Sequence, residues 1–420
     1  MTNKKNMRVV YVTWGILALF FAYQYFLRVG PSVMMEPLRQ EFELGAIKFA
    51  FMTALFAYAY GLLQIPMGLF LDHFGVRKTA LISISLCTTG ALTFYSALSY
   101  EMMCMGRVLM GVGAASGLIS ALKLVGDAIP KNYQGTLMGL TLGLGTVGAL
   151  IAGKPQSYLM DVYGWRQAGL ISAMGGLVLV VAAILFIPKN MNQHTPNSEK
   201  SEKNDTTQGV KTSLLKVIQS KAILVYALLA FGIFAPFAAL SDTWGMGFLM
   251  TKYALKSTEA AECIGFVFIG LSVGSIVVPA FFERIKSLKL GLQMGIAFMG
   301  ICGAIIVYAP NLTPLYLKIL LFIFGFSSGA EMICFTFISS VAPLGARGLS
   351  LGYTNTINMV GSAVMMHTIG LLLDYFWGGS VSESGLRIYS AATYESAMSI
   401  IPVTYILTFC LSFFIYRVKE

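Results

Sequence analysis

Five ionisable residues stand where an apolar sequence has little use for them. Arg28, Arg107, Lys123, Asp242 and Glu331 all fall in or beside long runs of Leu, Ile, Val, Phe, Ala and Gly. A charge at the centre of a lipid-embedded helix costs about 2.5–3.5 kcal/mol on insertion scales, so such residues mark a polar pathway by default. Arg28, in Tyr25-Phe26-Leu27-Arg28-Val29-Gly30-Pro31, offers a planar guanidinium that grips a carboxylate or phosphate through two hydrogen bonds. Its other reading is an arginine snorkelling to the outer interface. Glu331, in Ser327-Ser328-Gly329-Ala330-Glu331, is a carboxyl enclosed by apolar sequence and suited to carrying a proton. Its bland counterpart is a glutamate satisfied by Ser327, Ser328 or another helix's donor. Lys123 shares one helix face with Ser116, Ser120 and Asp127; it lines a cavity floor or forms an i,i+4 pair with Asp127, and the second is favoured. Asp242, in Ser241-Asp242-Thr243-Trp244, reads as a helix-end residue. Asn355, Asn358 and Ser362 make a further polar face that meets a solute or hydrogen-bonds helices together.

Other chemistries find no support. His73, His194 and His367 are scattered, as are the six cysteines, with no C-x-x-C pair, so neither a metal cluster nor a nucleophile–base pair is expected. No phosphate-binding P-loop occurs. The expectation is a protein that is not an enzyme and needs no cofactor or metal. The net charge of +10 would suggest a nucleic-acid partner in a soluble protein. Here the basic residues sit in short loops between apolar runs, where they set membrane topology instead.

These residues need elements to position them, and composition identifies which. The 420 residues are 56% hydrophobic and 11% charged, with mean hydropathy +0.73. Soluble domains carry about 25% charged residues, so lipid must cover this surface. Long unbroken apolar runs favour helices over a barrel, whose strands would be short and alternating. The runs fall near 9–35, 47–71, 78–98, 102–125, 133–158, 166–187, 221–248, 260–282, 289–309, 314–341, 348–374 and 394–416. The chain is therefore expected to be an all-α polytopic membrane protein with twelve spans. It divides into a bundle over 1–187, a polar charged linker over 188–220 and a second bundle over 221–420. Lys and Arg concentrate in the termini, the linker and the loops on that side, which predicts both termini to be cytoplasmic. The halves also repeat. Pro130, Gly135, Gly139, Thr141, Val147, Gly148 and Asp161 recur as Pro343, Gly348, Gly352, Thr354, Val360, Gly361 and Asp374, always 213 positions later, the distance from Asp161 to Asp374. Lys154 and His367 share that register. A parallel repeat of two six-helix units is a known transporter architecture.

The loop after the second run reads Gly68-Leu69-Phe70-Leu71-Asp72-His73-Phe74-Gly75-Val76-Arg77-Lys78. It resembles the G-x-L-x-D-x-x-G-x-R-K signature of the major facilitator superfamily, with Phe70 in place of the usual leucine. Gly68 is expected to permit close helix approach, Gly75 a tight turn, and Asp72 to face a helix amino end, while Arg77 and Lys78 hold the loop inside. The resemblance implies that this loop latches the two halves on the cytoplasmic side. Arg107-Val108-Leu109-Met110-Gly111-Val112-Gly113 resembles the family's R-x-x-x-G-x-G element on the fourth span. In the family, spans one, four, seven and ten line the central cavity, and those spans carry the five ionisable residues. Arginine at the place of Arg28 resembles the anion-handling members. Their acid before it and their acid seven residues after the fourth-span arginine are replaced by Leu27 and Ala114. The resemblance implies a monomeric secondary transporter in the inner (plasma) membrane. It would move a small organic anion or amino acid by alternating access, with proton-coupled uptake favoured. Efflux of amphipathic compounds is the rival within transport, and a non-transporting membrane sensor the rival outside it.

Overall fold

The computed structural model describes residues 4–189, 214–343, 346–383 and 385–414. Most of the expected linker, residues 190–213, lies outside them, as do the last six residues.

Among the described residues, ten continuous helical runs are long and apolar enough to cross a membrane. Two of them are twice the needed length. Ala46–Tyr95 breaks at Gly75 (φ 76°, ψ 173°) and Lys154–Phe186, continuing from Lys131–Ala152, breaks at Gly164 (φ 78°, ψ 160°). A left-handed φ at these points suits only glycine without strain. Each glycine lets the chain leave one helix and enter the next, so the ten runs make twelve crossings. Spans 1 and 4 are Met7–Val33 and Tyr100–Ala128. Spans 2 and 3 flank Gly75, and spans 5 and 6 flank Gly164. Spans 7 to 12 are Lys221–Lys252, Ser257–Arg284, Leu288–Tyr308, Pro314–Val341, Arg347–Tyr375 and Ala391–Phe414.

The two breaks carry the same sequence. Asp72-His73-Phe74-Gly75-Val76-Arg77 and Asp161-Val162-Tyr163-Gly164-Trp165-Arg166 share Asp, Gly and Arg at identical spacing, on opposite faces of the bundle. Their arginines do the same work. Arg77 donates to the Ile184 carbonyl (3.2 Å) and to that of Ile187 at the end of span 6. Arg166 donates to the Tyr95 carbonyl (3.3 Å) at the end of span 3. The last carbonyls of a helix have no partner within it, and a guanidinium supplies one.

Spans 4 and 10 break midway, at Ala115–Ser116 and at the 3-10 turn Ser328–Ala330. The 213-residue register maps Ala115 onto Ser328, so both halves kink their cavity helix at the same place.

The halves meet closely on the face away from the linker. Thr146 accepts from Ser272 (2.5 Å), Ser157 meets Ser257 (3.0 Å), and Glu262 takes Lys154 of the first half at 2.8 Å and Lys318 of its own at 2.6 Å. Arg39 donates to the Arg387 carbonyl at 2.7 Å and lies over the Tyr389 ring. The Tyr389 hydroxyl donates to Asp374 and accepts from the Ala46 N–H (3.0 Å) at the start of span 2. Burial, and next the bond to Asp374, push that phenol up to about 12, so it remains a donor at neutral pH. Toward the linker face, spans 2 and 11 stay in touch, with Thr356 donating to the Gly61 carbonyl (3.0 Å). A Cβ on Gly135, Gly139 or Gly143 of span 5 would meet nothing within 4 Å. The face away from the linker also holds a cavity of about 680 Å³, lined by Glu36, Arg39, Trp165, Arg387 and Tyr389 among others.

Candidate functional site

Pro31 sets the geometry of span 1. It lacks an N–H, so the Leu27 carbonyl one turn back loses its helical partner. Arg107 of span 4 replaces that partner. Its Nη1 donates to the Leu27 carbonyl (2.7 Å), and its Nη2 donates to the carbonyls of Thr53 (3.1 Å) and Arg28 (3.4 Å). Arg107 is 2% exposed, and its guanidinium lies over the Phe56 ring. Arg107 thus serves as a clamp on the backbone that presents Arg28, rather than as a surface for solute. Gly111 and Gly113 let span 4 pack closely on spans 2 and 3: a Cβ on them would sit 2.4 Å from the Phe56 carbonyl and 2.5 Å from that of Ser83. Where span 4 breaks, Gln64 of span 2 donates to the freed Ala115 carbonyl (3.1 Å), and Ser116 donates to Ser83 (2.6 Å).

Arg28 neither snorkels nor stands free. Its Nε donates to Asp242 Oδ2 (2.7 Å), its Nη2 reaches the same oxygen, and the guanidinium lies over the rings of Tyr25 and Phe234, 5.1 and 5.2 Å from their centroids. Asp242 is 2% exposed. The helix-end expectation for it therefore fails. Asp242 sits in a π-helical turn, Leu240–Trp244, where the Gly245 N–H bonds the Leu240 carbonyl five residues back. The widened turn rotates Asp242 toward span 1, and such turns recur at functional sites. Ser241 donates to the remaining Oδ1 (2.8 Å), so both carboxylate oxygens are satisfied. The signal for this pair was in the sequence. Arg28 and Asp242 are 214 residues apart, one more than the register that relates the halves, so they face each other beside the pseudo-two-fold axis.

Glu331 opens the helix that follows the 3-10 turn of span 10 and is 6% exposed. Of the two donors considered for it, its neighbours or another helix, the second holds: Asn358 Nδ2 of span 11 donates to Oε1 at 2.6 Å, while Ser328 bonds the Gly325 carbonyl. Arg28 is near enough for its charge to act on Glu331. Asn355, one turn from Asn358, is half-buried beside Tyr60. Arg28, Asp242, Glu331, Asn355 and Asn358 therefore form one cluster where spans 1, 7, 10 and 11 converge.

Lys123 is elsewhere. It pairs with Asp72 of the signature loop, not with Asp127, and both partners are substantially exposed at the linker end. Asp72 faces this lysine within its own half and not a helix amino end. Nothing lies within 4 Å of a Cβ placed on Gly68, so the close approach expected there is not made. Gly75 makes the expected turn. Lys78 lies over the Phe74 ring. Among the described residues no group of three or more His, Cys, Asp or Glu could hold a metal.

The Major Facilitator Superfamily model matches residues 14–366. The chain belongs to the major facilitator superfamily. It is a multi-pass membrane transporter, not an enzyme. It is 25% identical over 426 aligned residues, covering 96% of this chain and 97% of the relative, to the cis,cis-muconate transport protein of Acinetobacter baylyi. It is 22% identical to the D-galactonate transporter of Escherichia coli O6:H1, covering 93% and 94%, and 22% identical to the hexuronate transporter of Bacillus subtilis, covering 90% and 92%. The fold matches a bacterial homolog of the human lysosomal transporter Spinster in an inward-facing, unoccupied conformation, with TM-score 0.75, 15% identity and coverage of 99% and 98%.

Proposed function

We propose that this protein carries a small organic anion with at least one carboxylate into the cell, together with a proton, by alternating access. The halves 1–187 and 221–420 rock about the Arg28 cluster, and the linker and both termini lie in the cytoplasm. The protein works as a monomer in the inner membrane. The observation that carries this reading is the buried Arg28–Asp242 pair joining the two halves. A guanidinium satisfied by a displaceable carboxylate is a site for another carboxylate. The solute takes the place of Asp242 on Arg28, and Asp242 keeps its bond from Ser241. Glu331 is the proton carrier. A monoanion and one proton arriving together leave the charge of the site unchanged, because the proton on Glu331 offsets the added carboxylate. The names of the relatives, which include muconate, galactonate and hexuronate transporters, support an organic acid over an amphipathic drug. Lys123 and Asp72 act away from the solute, as part of the cytoplasmic latch.

The test is uptake of labelled organic acids into proteoliposomes under an imposed pH gradient, after a thermal-shift screen chooses the acid. The expected result is accumulation driven by an acidic outside and abolished by Arg28→Ala. Equal accumulation without a pH gradient would remove proton coupling, and full transport by Arg28→Ala would remove the anion site.

A further inference from the structure

Asn358 is 1% exposed and uses only half of its amide. Nδ2 donates to Glu331, while Oδ1 is buried with no partner among the described residues. Among the described residues Glu331 has no hydrogen-bond donor besides that amide, since Arg28 turns both Nε and Nη2 toward Asp242. Beyond the field of Arg28, the charged form of this glutamate therefore rests on one neutral N–H. A buried carboxylic acid has the opposite need, an acceptor for its O–H, and a buried polar group left unmade costs about 1–3 kcal/mol. An asparagine meets both needs at one position. Turned one way it donates Nδ2 to the carboxylate; turned over, it accepts the acid proton on Oδ1. In each orientation one amide atom is left unpartnered, so the unpartnered atom biases neither state.

We infer that Asn358 is the positioning residue of proton coupling, its amide turning over each time Glu331 binds or releases a proton. This rests on the reading of Glu331 as the proton carrier. The groups that face Glu331 do not offer the same service. Arg28 and Tyr25 on span 1, Cys334 on its own helix and Tyr405 on span 12 act on it electrostatically, but Arg28 is held by Asp242 and the Tyr405 hydroxyl donates to the Ile233 carbonyl (3.2 Å). Turning an amide moves no backbone, so the proton state of span 10 reaches span 11, which packs along span 2 of the other half, without any other rearrangement.

The experiment compares two variants of the full-length protein in proteoliposomes with Glu331→Gln. Asn358→Leu keeps the branched four-atom side chain, at a somewhat larger volume, and can neither donate nor accept. Asn358→Ser supplies one hydroxyl that does both. Two quantities are read: solute exchange at equal pH, and accumulation against a gradient as a function of external pH. Asn358→Leu is expected to lose gradient-driven accumulation by tenfold or more relative to its own exchange at equal pH; Asn358→Ser is expected to recover most of that ratio. Infrared difference spectra of the wild type should show the amide band shifting with the acid carbonyl band of Glu331, and Glu331→Gln should remove both. Accumulation by Asn358→Leu at the wild-type level, with Glu331→Gln inactive in accumulation, overturns the role of Asn358 and leaves the carrier reading standing. Accumulation by Glu331→Gln overturns the carrier reading itself. Loss of exchange in both Asn358 variants while the proteins remain folded would make Asn358 a structural or solute-binding residue and also overturn the inference.

Discussion

Two carboxylates lie in one cluster and are held in opposite ways. Asp242 has a guanidinium on one oxygen and a serine hydroxyl on the other, and it bridges the halves. Glu331 has a single amide, from its own half. Two opposite charges buried together are tolerable because each offsets the other's desolvation; a buried carboxylate with one neutral donor is tolerable because it can take up a proton. On the function proposed above, the difference separates an anion site from a proton site. The pair also joins the two halves, and a bridge between units that rock must break and re-form, for which the proposed solute carboxylate offers a way.

The comparison is most exposed at Asp242. Asp242→Ala should destabilise the protein by about 3–5 kcal/mol, since it strands Arg28 in the interior. Thermal unfolding in detergent reads this, and millimolar organic acid should restore part of the loss by re-pairing the guanidinium. A midpoint unchanged from wild type would mean that the pair does not hold the halves. Arg107→Met comes next. It leaves the Leu27 carbonyl orphaned beside Pro31, for about 1–3 kcal/mol, and transport should fall with stability because Arg28 loses its clamp. Normal transport would detach the clamp from the anion site. Glu331→Gln should cost less than about 1 kcal/mol, since an amide replaces a carboxylate on the same partner. Accumulation should nonetheless vanish while exchange continues. If its unfolding midpoint fell as far as that of Asp242→Ala, the two carboxylates would not differ in kind. Lys123→Ala should be smallest, about 0–1 kcal/mol, because its pair with Asp72 is exposed and screened. A larger loss would move Lys123 from the latch to the site.

The fold was legible because it rests on features local to the chain. Run lengths and the 213-residue register are read directly, and Gly75 announces its turn. Contacts between distant helices were harder. Asp242 reads as a helix-end residue in the sequence because nothing there marks the π turn of Leu240–Trp244, which shifts which residues face span 1. Carrying the register from spans 5 and 11 to spans 1 and 7 would have put Arg28 opposite Ser241, next to Asp242. The same care would have exposed the repeat of Asp72, Gly75 and Arg77 in Asp161, Gly164 and Arg166. Lys123 and Asp127 have ideal i,i+4 spacing, yet Asp72 wins the lysine from another helix, which no spacing rule within one helix can show.

The central claim is that Asp242 occupies on Arg28 the place a solute carboxylate takes. Calorimetric titration of the identified organic acid into wild type, Asp242→Asn and Arg28→Ala tests it most directly. The account predicts tighter binding by Asp242→Asn, where the competing carboxylate is gone, and no measurable binding by Arg28→Ala. Binding by Arg28→Ala at the wild-type affinity would contradict it.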